Sequence, residues 1–134
     1  MAFEGPFEDR LAIRELYGAY ADATMRQDRD LYLSLWAEDG VRAAPDSVAE
    51  GKAAVAAHWD GVWGPIKQMG FFGEVGAIVV DGDTASARVH CREIVEFKDG
   101  TIWKVIGRYE DRLVRVDGRW VFGRKDYTLV MREA

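Results

Sequence analysis

Two acidic residues occupy positions where apolar ones are expected. In segment 85–97, Ala85, Ala87, Val89, Cys91, Glu93, Val95 and Phe97 share one parity. Successive side chains of a strand point to opposite faces, so this set forms one face, and Glu93 is its charged exception. In the next segment Trp103, Val105, Gly107, Tyr109, Asp111 and Leu113 form the equivalent set, with Asp111 the exception. A carboxyl group on an apolar face loses water, which favours its protonated form and raises its pKa. A general acid or base working near neutral pH has this property. The competing reading for both is an ion pair with Arg88, Arg92, Arg108 or Arg124, or a place at the sheet rim. Tyr20 adds a phenol able to donate to a developing oxyanion. A core tyrosine bonded to any buried acceptor has the same sequence signature. Thr24, one helical turn later, lines the same space.

A scaffold must bring these residues together. Asp81-Gly82, Asp99-Gly100 and Asp117-Gly118 recur every 18 residues. Asp-Gly between alternating apolar residues marks a hairpin, because both turn positions need positive φ. The spacing predicts a four-strand antiparallel meander over about 69–130. Its two inner segments, 83–98 and 101–116, would each span about 53 Å if flat. A compact chain of this length is only about 36 Å across, so the sheet must bend. Gly107 and Gly123 lie mid-strand, where glycine marks a bulge or bend. The concave face of such a sheet is where a ligand would sit.

The N-terminal third reads as helical. Leu11, Ile13, Leu16, Tyr17 and Tyr20 follow the 3.6-residue period over 10–26. A second helix is predicted over 29–37 and a third over 51–63, the latter ended by Gly64-Pro65. Between them, 41–45 reads as a short strand stopped by Pro45. The fold class is α+β: three helices against a curved antiparallel sheet of four meander strands plus the short one. A single domain is expected over 1–134, with its core at about 9–130.

Composition narrows the function classes. The chain has 134 residues, a formal net charge of −5, and is 49% hydrophobic and 31% charged. The acidic balance argues against nucleic acid and anionic membranes as partners. No apolar run approaches a membrane span, and the first ten residues lack a basic and apolar leader pattern. One cysteine, Cys91, precludes an internal disulfide and fits a cytoplasmic location. It reads as inert core. His58 and His90 read as surface or rim residues, so no metal site is expected. The glycines at 70, 73, 76 and 82 precede no helix, which leaves nucleotide binding unsupported. Trp36, Trp59, Trp63, Phe72, Trp103 and Tyr109, with Phe71, could line a pocket for a flat apolar ligand. Individually, each also fits the core. The alternate face of 102–114 is amphipathic and fits cover by a second copy of the chain.

The stretches YADATMRQDRDLYLSLWAEDG, VDGDTASARVHCREI and GRYEDRLVRVDGRWVFGRKDY, in this order, resemble the nuclear transport factor 2-like superfamily, and within it the SnoaL-like group. The resemblance covers about 9–130 and implies a cone with an internal pocket. It hosts isomerases, dehydratases, epoxide hydrolases, cyclases and proteins without catalysis, so fold alone names no reaction. Relative to ketosteroid isomerases, Tyr20 lies at the oxyanion tyrosine and Asp111 at the protonated oxyanion aspartate. That family's general base falls at Ala44, before Pro45, and is absent. Relative to dehydratases and dehydrochlorinases, the first-helix aspartate falls at Thr24 or Met25 and the pocket histidine near Gly73 or Glu74. Glu93 matches a pocket aspartate of bile-acid-type dehydratases.

The resemblance implies a cofactor-independent lyase or isomerase acting on an apolar cyclic or carbonyl-bearing small molecule. Glu93 would be the acid/base, Tyr20 and a neutral Asp111 would polarise oxygen, and Glu74 could replace the missing histidine. A homodimer is expected. The alternative is a binding or accessory protein that keeps the pocket and lacks the chemistry. A protein–protein adaptor using the outer sheet face is a third reading and would need a large exposed apolar patch.

Overall fold

The computed structural model describes residues 2–133. Its elements run β1 (Phe3–Glu4), α1 (Phe7–Arg26), α2 (Arg29–Ser34), β2 (Trp36–Ala44), β3 (Ser47–Glu50), α3 (Lys52–Trp63), β4 (Ile66–Asp81), β5 (Thr84–Phe97), β6 (Ile102–Val116) and β7 (Arg119–Glu133). The strands form one sheet in the order β1-β4-β5-β6-β7-β2-β3. β4 to β7 are the expected antiparallel meander. β1 and β2 add parallel to β4 and β7.

α1 buries Ile13, Leu16, Tyr17, Tyr20, Ala23 and Thr24, a stripe at helical spacing that packs on the sheet. Its start is set by Pro6, whose carbonyl accepts from Arg10 N. α2 is shorter than the predicted 29–37. Trp36 pairs in register with Phe122, and Leu35 O accepts from Phe122 N, so the parallel ladder claims these residues. The strand expected at 41–45 therefore begins at Trp36. With β1 and β3 the sheet has seven strands rather than five. Both additions are too short to carry a periodic signal of their own.

The three Asp-Gly sites make three different turns. Asp117 and Gly118 both have positive φ, at 51° and 77°, as a type I′ turn requires. At the first site Asp81 pairs with Thr84, so Gly82 and Asp83 form the loop and Gly82 alone is left-handed. At the second, Gly100 closes a three-residue loop with φ 92°.

Register slips interrupt β4 at Ile66–Gln68 and Val75–Ala77 and β2 between Trp36 and Val41, and two more lie in β7. Gly107 pairs with Leu129 and Ile106 with Met131, which leaves Val130 as the extra residue opposite Gly107. Leu113 pairs with Phe122 and Arg112 with Arg124, which leaves Gly123 extra. β6 keeps its parity throughout, and Val105, Gly107, Tyr109, Asp111 and Leu113 are all buried. A Cβ on Gly107 would lie 2.6 Å from the Tyr127 hydroxyl, so any larger residue there would have to displace the Tyr127 ring.

Candidate functional site

Parity places Glu93 on the inner face of β5, between buried Cys91 and Val95. There it borders a cavity of about 630 Å³ together with Arg42, His58, Trp103, Tyr127 and Arg132. Arg42 reaches this wall because β2 runs parallel to β7, with Arg42 opposite Lys125. His58 reaches it from α3. The Arg42 Nη1 lies 3.3 Å from His58 Nε2. A guanidinium can only donate, so His58 accepts at Nε2 and its proton sits on Nδ1. Burial and the Arg42 charge push the His58 pKa down, in keeping with that neutral ring. Burial pushes the Glu93 carboxyl up, and Arg42 pulls it part of the way back. Among the described residues, no hydrogen bond or direct ion pair ties Glu93 to a neighbour.

A narrower space of about 60 Å³ shares Arg42, His58 and Glu93 and adds Tyr20, Thr24 and Tyr109. Trp59 and Trp63 line it from α3. Burial pushes the Tyr20 and Tyr109 phenols well above their ordinary range, so both stay protonated donors at neutral pH. Their hydroxyls are 3.4 Å apart. Tyr20, Phe71 and Tyr109 also border a separate cavity of about 280 Å³, whose wall includes Phe72, Glu74 and Lys125. These three aromatic side chains thus divide the two spaces.

Asp111 has a different setting. Its Oδ2 accepts from the Tyr17 hydroxyl and from Lys125 Nζ, each at 2.6 Å. The side chains of Asp111 and Lys125 are both wholly enclosed. The ammonium lies 4.1–5.0 Å from the ring centroids of Phe122, Tyr109, Tyr20 and Tyr17. Rings at these distances attract a desolvated cation through their negative faces. Burial pushes Asp111 up and Lys125 down, while each charge opposes the other's shift. Among the described residues, Asp111 Oδ1 has no hydrogen-bond partner.

The sequence-derived candidates therefore separate. Glu93, Tyr20, Thr24, Trp59, Trp63 and Tyr109 come together in connected space, and Trp103 lines its outer part. Glu74 and Phe72 are exposed and belong to the smaller cavity. Trp36 is core, packed on Tyr32 and Phe122. Asp111 is bonded to Tyr17 and Lys125, whereas Tyr20 faces Tyr109. His58, read as a surface or rim residue, borders both the narrow space and the larger cavity.

Three residues escaped the sequence reading. Lys125 lies three residues after buried Phe122, a spacing that simple alternation sends outward. The extra Gly123 turns it inward, and the mid-strand glycine was the available signal. Arg42 and His58 meet only through the β2–β7 pairing and the packing of α3, which no local pattern encodes.

No helix among the described residues is long and apolar enough to cross a membrane. Among the described residues no group of three His, Cys, Asp or Glu is placed to hold a metal ion.

Comparison with known proteins agrees with this architecture. The chain superposes on a provisionally named aromatic ring hydroxylase from Novosphingobium aromaticivorans with a TM-score of 0.89, at 28% identity over 96% of this chain and 93% of that one. A provisionally named scytalone dehydratase from the same organism gives 0.86, at 22% identity over 93% and 86%. A hexachlorocyclohexane dehydrochlorinase, LinA-type3, from Novosphingobium barchaimii gives 0.84, at 15% identity over 94% and 89%. No curated protein matches the chain. The model of the SnoaL-like domain matches residues 6–126, nearly the whole of the described cone, and the chain belongs to that family.

Proposed function

We propose that this protein is a small-molecule lyase or isomerase in which Glu93 transfers a proton. The observation that carries this reading is Glu93 itself: a carboxyl group with a raised pKa, on a cavity wall, untied by hydrogen bonds. Proteins of the same fold are named as a dehydratase, provisionally, and a dehydrochlorinase, and both names denote eliminations. The substrate is an apolar cyclic molecule with a carbonyl. Glu93 removes a proton from the carbon beside that carbonyl, and the electron pair moves onto the oxygen. Tyr20 and Tyr109 donate to the resulting oxyanion. The enolate then expels a β-substituent, or Glu93 returns the proton at another carbon, which gives elimination or isomerisation. This scheme draws on no cofactor.

Asp111 acts in this scheme as a positioning residue. It fixes Lys125, whose charge holds the Tyr20 and Tyr109 rings. Glu74, on the other cavity, takes no part. On the outer face, exposed Ile94 and Met131 flank half-buried Ile106 and suit a second copy of the chain. Light scattering on the purified protein would show a dimer mass.

The test is Glu93→Gln against a panel of cyclic β-hydroxy ketones and β,γ-unsaturated ketones, followed by the absorbance of the conjugated product. Loss of turnover with unchanged circular dichroism is expected; full activity would overturn the assignment. A binding-only protein is the second reading, favoured by the engagement of Asp111 in its own ion pair. Stoichiometric ligand binding without turnover across the panel would select it.

A further inference from the structure

Arg42 is a half-buried cation on the cavity wall, and among the described residues no carboxylate lies directly against it. The His58 ring accepts from its Nη1, and the phenols of Tyr20, Tyr32 and Tyr109 border the same narrow space. Glu93 acts on Arg42 only at longer range. Other arginines of this chain show the contrast: Arg29, Arg88, Arg92, Arg115 and Arg124 each meet a carboxylate within 3.2 Å. Arg29, Arg88 and Arg92 are exposed, Arg124 keeps 44% of its side chain exposed, and Arg115 is half-buried with two carboxylates against it, so none of them lacks either water or a counter-ion. Arg42 shares the half-buried setting of Arg115 without its carboxylates, which makes it costly to leave without a counter-ion.

The cavity that Arg42 faces is built for a matching ligand. Its volume of about 630 Å³ suits a small ring system, and Phe97, Trp103 and Tyr127 supply flat apolar walls. A second guanidinium, Arg132, stacks 4.7 Å over the Trp103 ring on the same wall. The acidic groups on this wall are Glu93 and Asp46, the latter exposed at the rim. A planar guanidinium binds a carboxylate through two parallel hydrogen bonds, a geometry suited to anchoring one end of a flat molecule.

We infer that Arg42 anchors an anionic group, so that the ligand of the larger cavity is an apolar ring system bearing a carboxylate or an acidic phenol. This rests on the reading of that cavity as the substrate site and narrows its substrate class. It also has a chemical consequence. A ligand anion on Arg42 offsets the charge that draws Glu93 downward, so Glu93 becomes a stronger base once the ligand is seated.

The test is calorimetric titration with naphthoate and with its neutral amide, which match in shape and differ in charge. The wild-type protein, Arg42→Met and Arg42→Lys are compared, with circular dichroism and melting temperature confirming that each is folded. The wild type should bind naphthoate about tenfold or more tightly than the amide, the worth of one charge-assisted hydrogen bond. Arg42→Met should lose that preference while still binding the amide, and Arg42→Lys should recover part of it. In the wild type the His58 imidazole resonances should move with naphthoate and stay with the amide. Equal binding of the two probes, or an undiminished preference in Arg42→Met, overturns the anchor and leaves the cavity as a substrate site. Binding of neither probe overturns the anchor and the substrate-site reading together.

Discussion

Glu93 and Asp111 sit on neighbouring strands, on the same inner face, and each breaks an apolar pattern; their surroundings nonetheless differ in kind. Asp111 is enclosed with its cation, which touches it at 2.6 Å and is itself ringed by four aromatic side chains. Glu93 borders an open cavity, and the Arg42 charge acts on it without a direct ion pair. In the first region every charge has been committed within the protein. In the second a carboxyl and a guanidinium remain available to something that enters. A carboxylate on an apolar face is therefore not in itself a functional signal. What distinguishes the two is whether a partner fills the adjacent space.

The largest expected effect tests the closed region. Lys125→Met leaves Asp111 buried without its cation and should destabilise the fold by about 3–5 kcal/mol in urea unfolding. The double variant Lys125→Met with Asp111→Leu removes both charges and should regain most of that loss. If the single variant unfolds like the wild type, the pair is not the anchor described. The open region should respond in the opposite sense. Glu93→Gln should cost about 100-fold or more in turnover, the usual worth of a proton-transfer group, with no loss of stability.

Its pH dependence has a definite sign. Because the folded pKa of Glu93 is raised above its unfolded value, the folded state binds this proton more tightly. Stability from this group is present below the unfolded pKa and is lost as pH rises toward the folded one. Glu93→Gln should thus gain relative to the wild type as pH climbs past about 4.5, the ordinary glutamate range. Turnover by the wild type, which needs the ionised carboxylate, should fall on the acid side at a higher pH than an ordinary glutamate would give.

A smaller effect concerns the frame shared by both regions. Gly107→Ala places a methyl group against the Tyr127 ring and should cost about 1–3 kcal/mol, measured by the melting temperature. The smallest belongs to His58. Its pKa is lowered in the fold, so the unfolded chain takes up the proton first as pH falls. Stability should decline below about pH 6.5, and His58→Gln should remove that part of the slope.

The same contrast explains how much was legible in the sequence. Strand parity located Glu93 and Asp111 correctly, because β5 and β6 run without interruption through both residues. The Asp-Gly rhythm marked all three hairpins of the meander. What parity could not tell was the partner. Lys125 reaches Asp111 only because Gly123 adds a residue to β7, and Arg42 reaches the cavity through a parallel pairing between segments some 80 positions apart in sequence. Tyr17 and Tyr20 share one helical stripe, so periodicity left open which of them would meet Asp111. The geometry gives Tyr17.

Cys91, on the inner face beside Glu93, has a practical consequence. Burial pushes its thiol up to about 12, and the side chain is almost fully covered. The thiolate is the reactive form, so this sulfur is silent toward maleimides and iodoacetamides at neutral pH. A cysteine introduced on the exposed side of α3 or at the cavity mouth could carry a fluorophore on an otherwise native chain. Entry of a ligand could then be followed optically, without first engineering the natural thiol away.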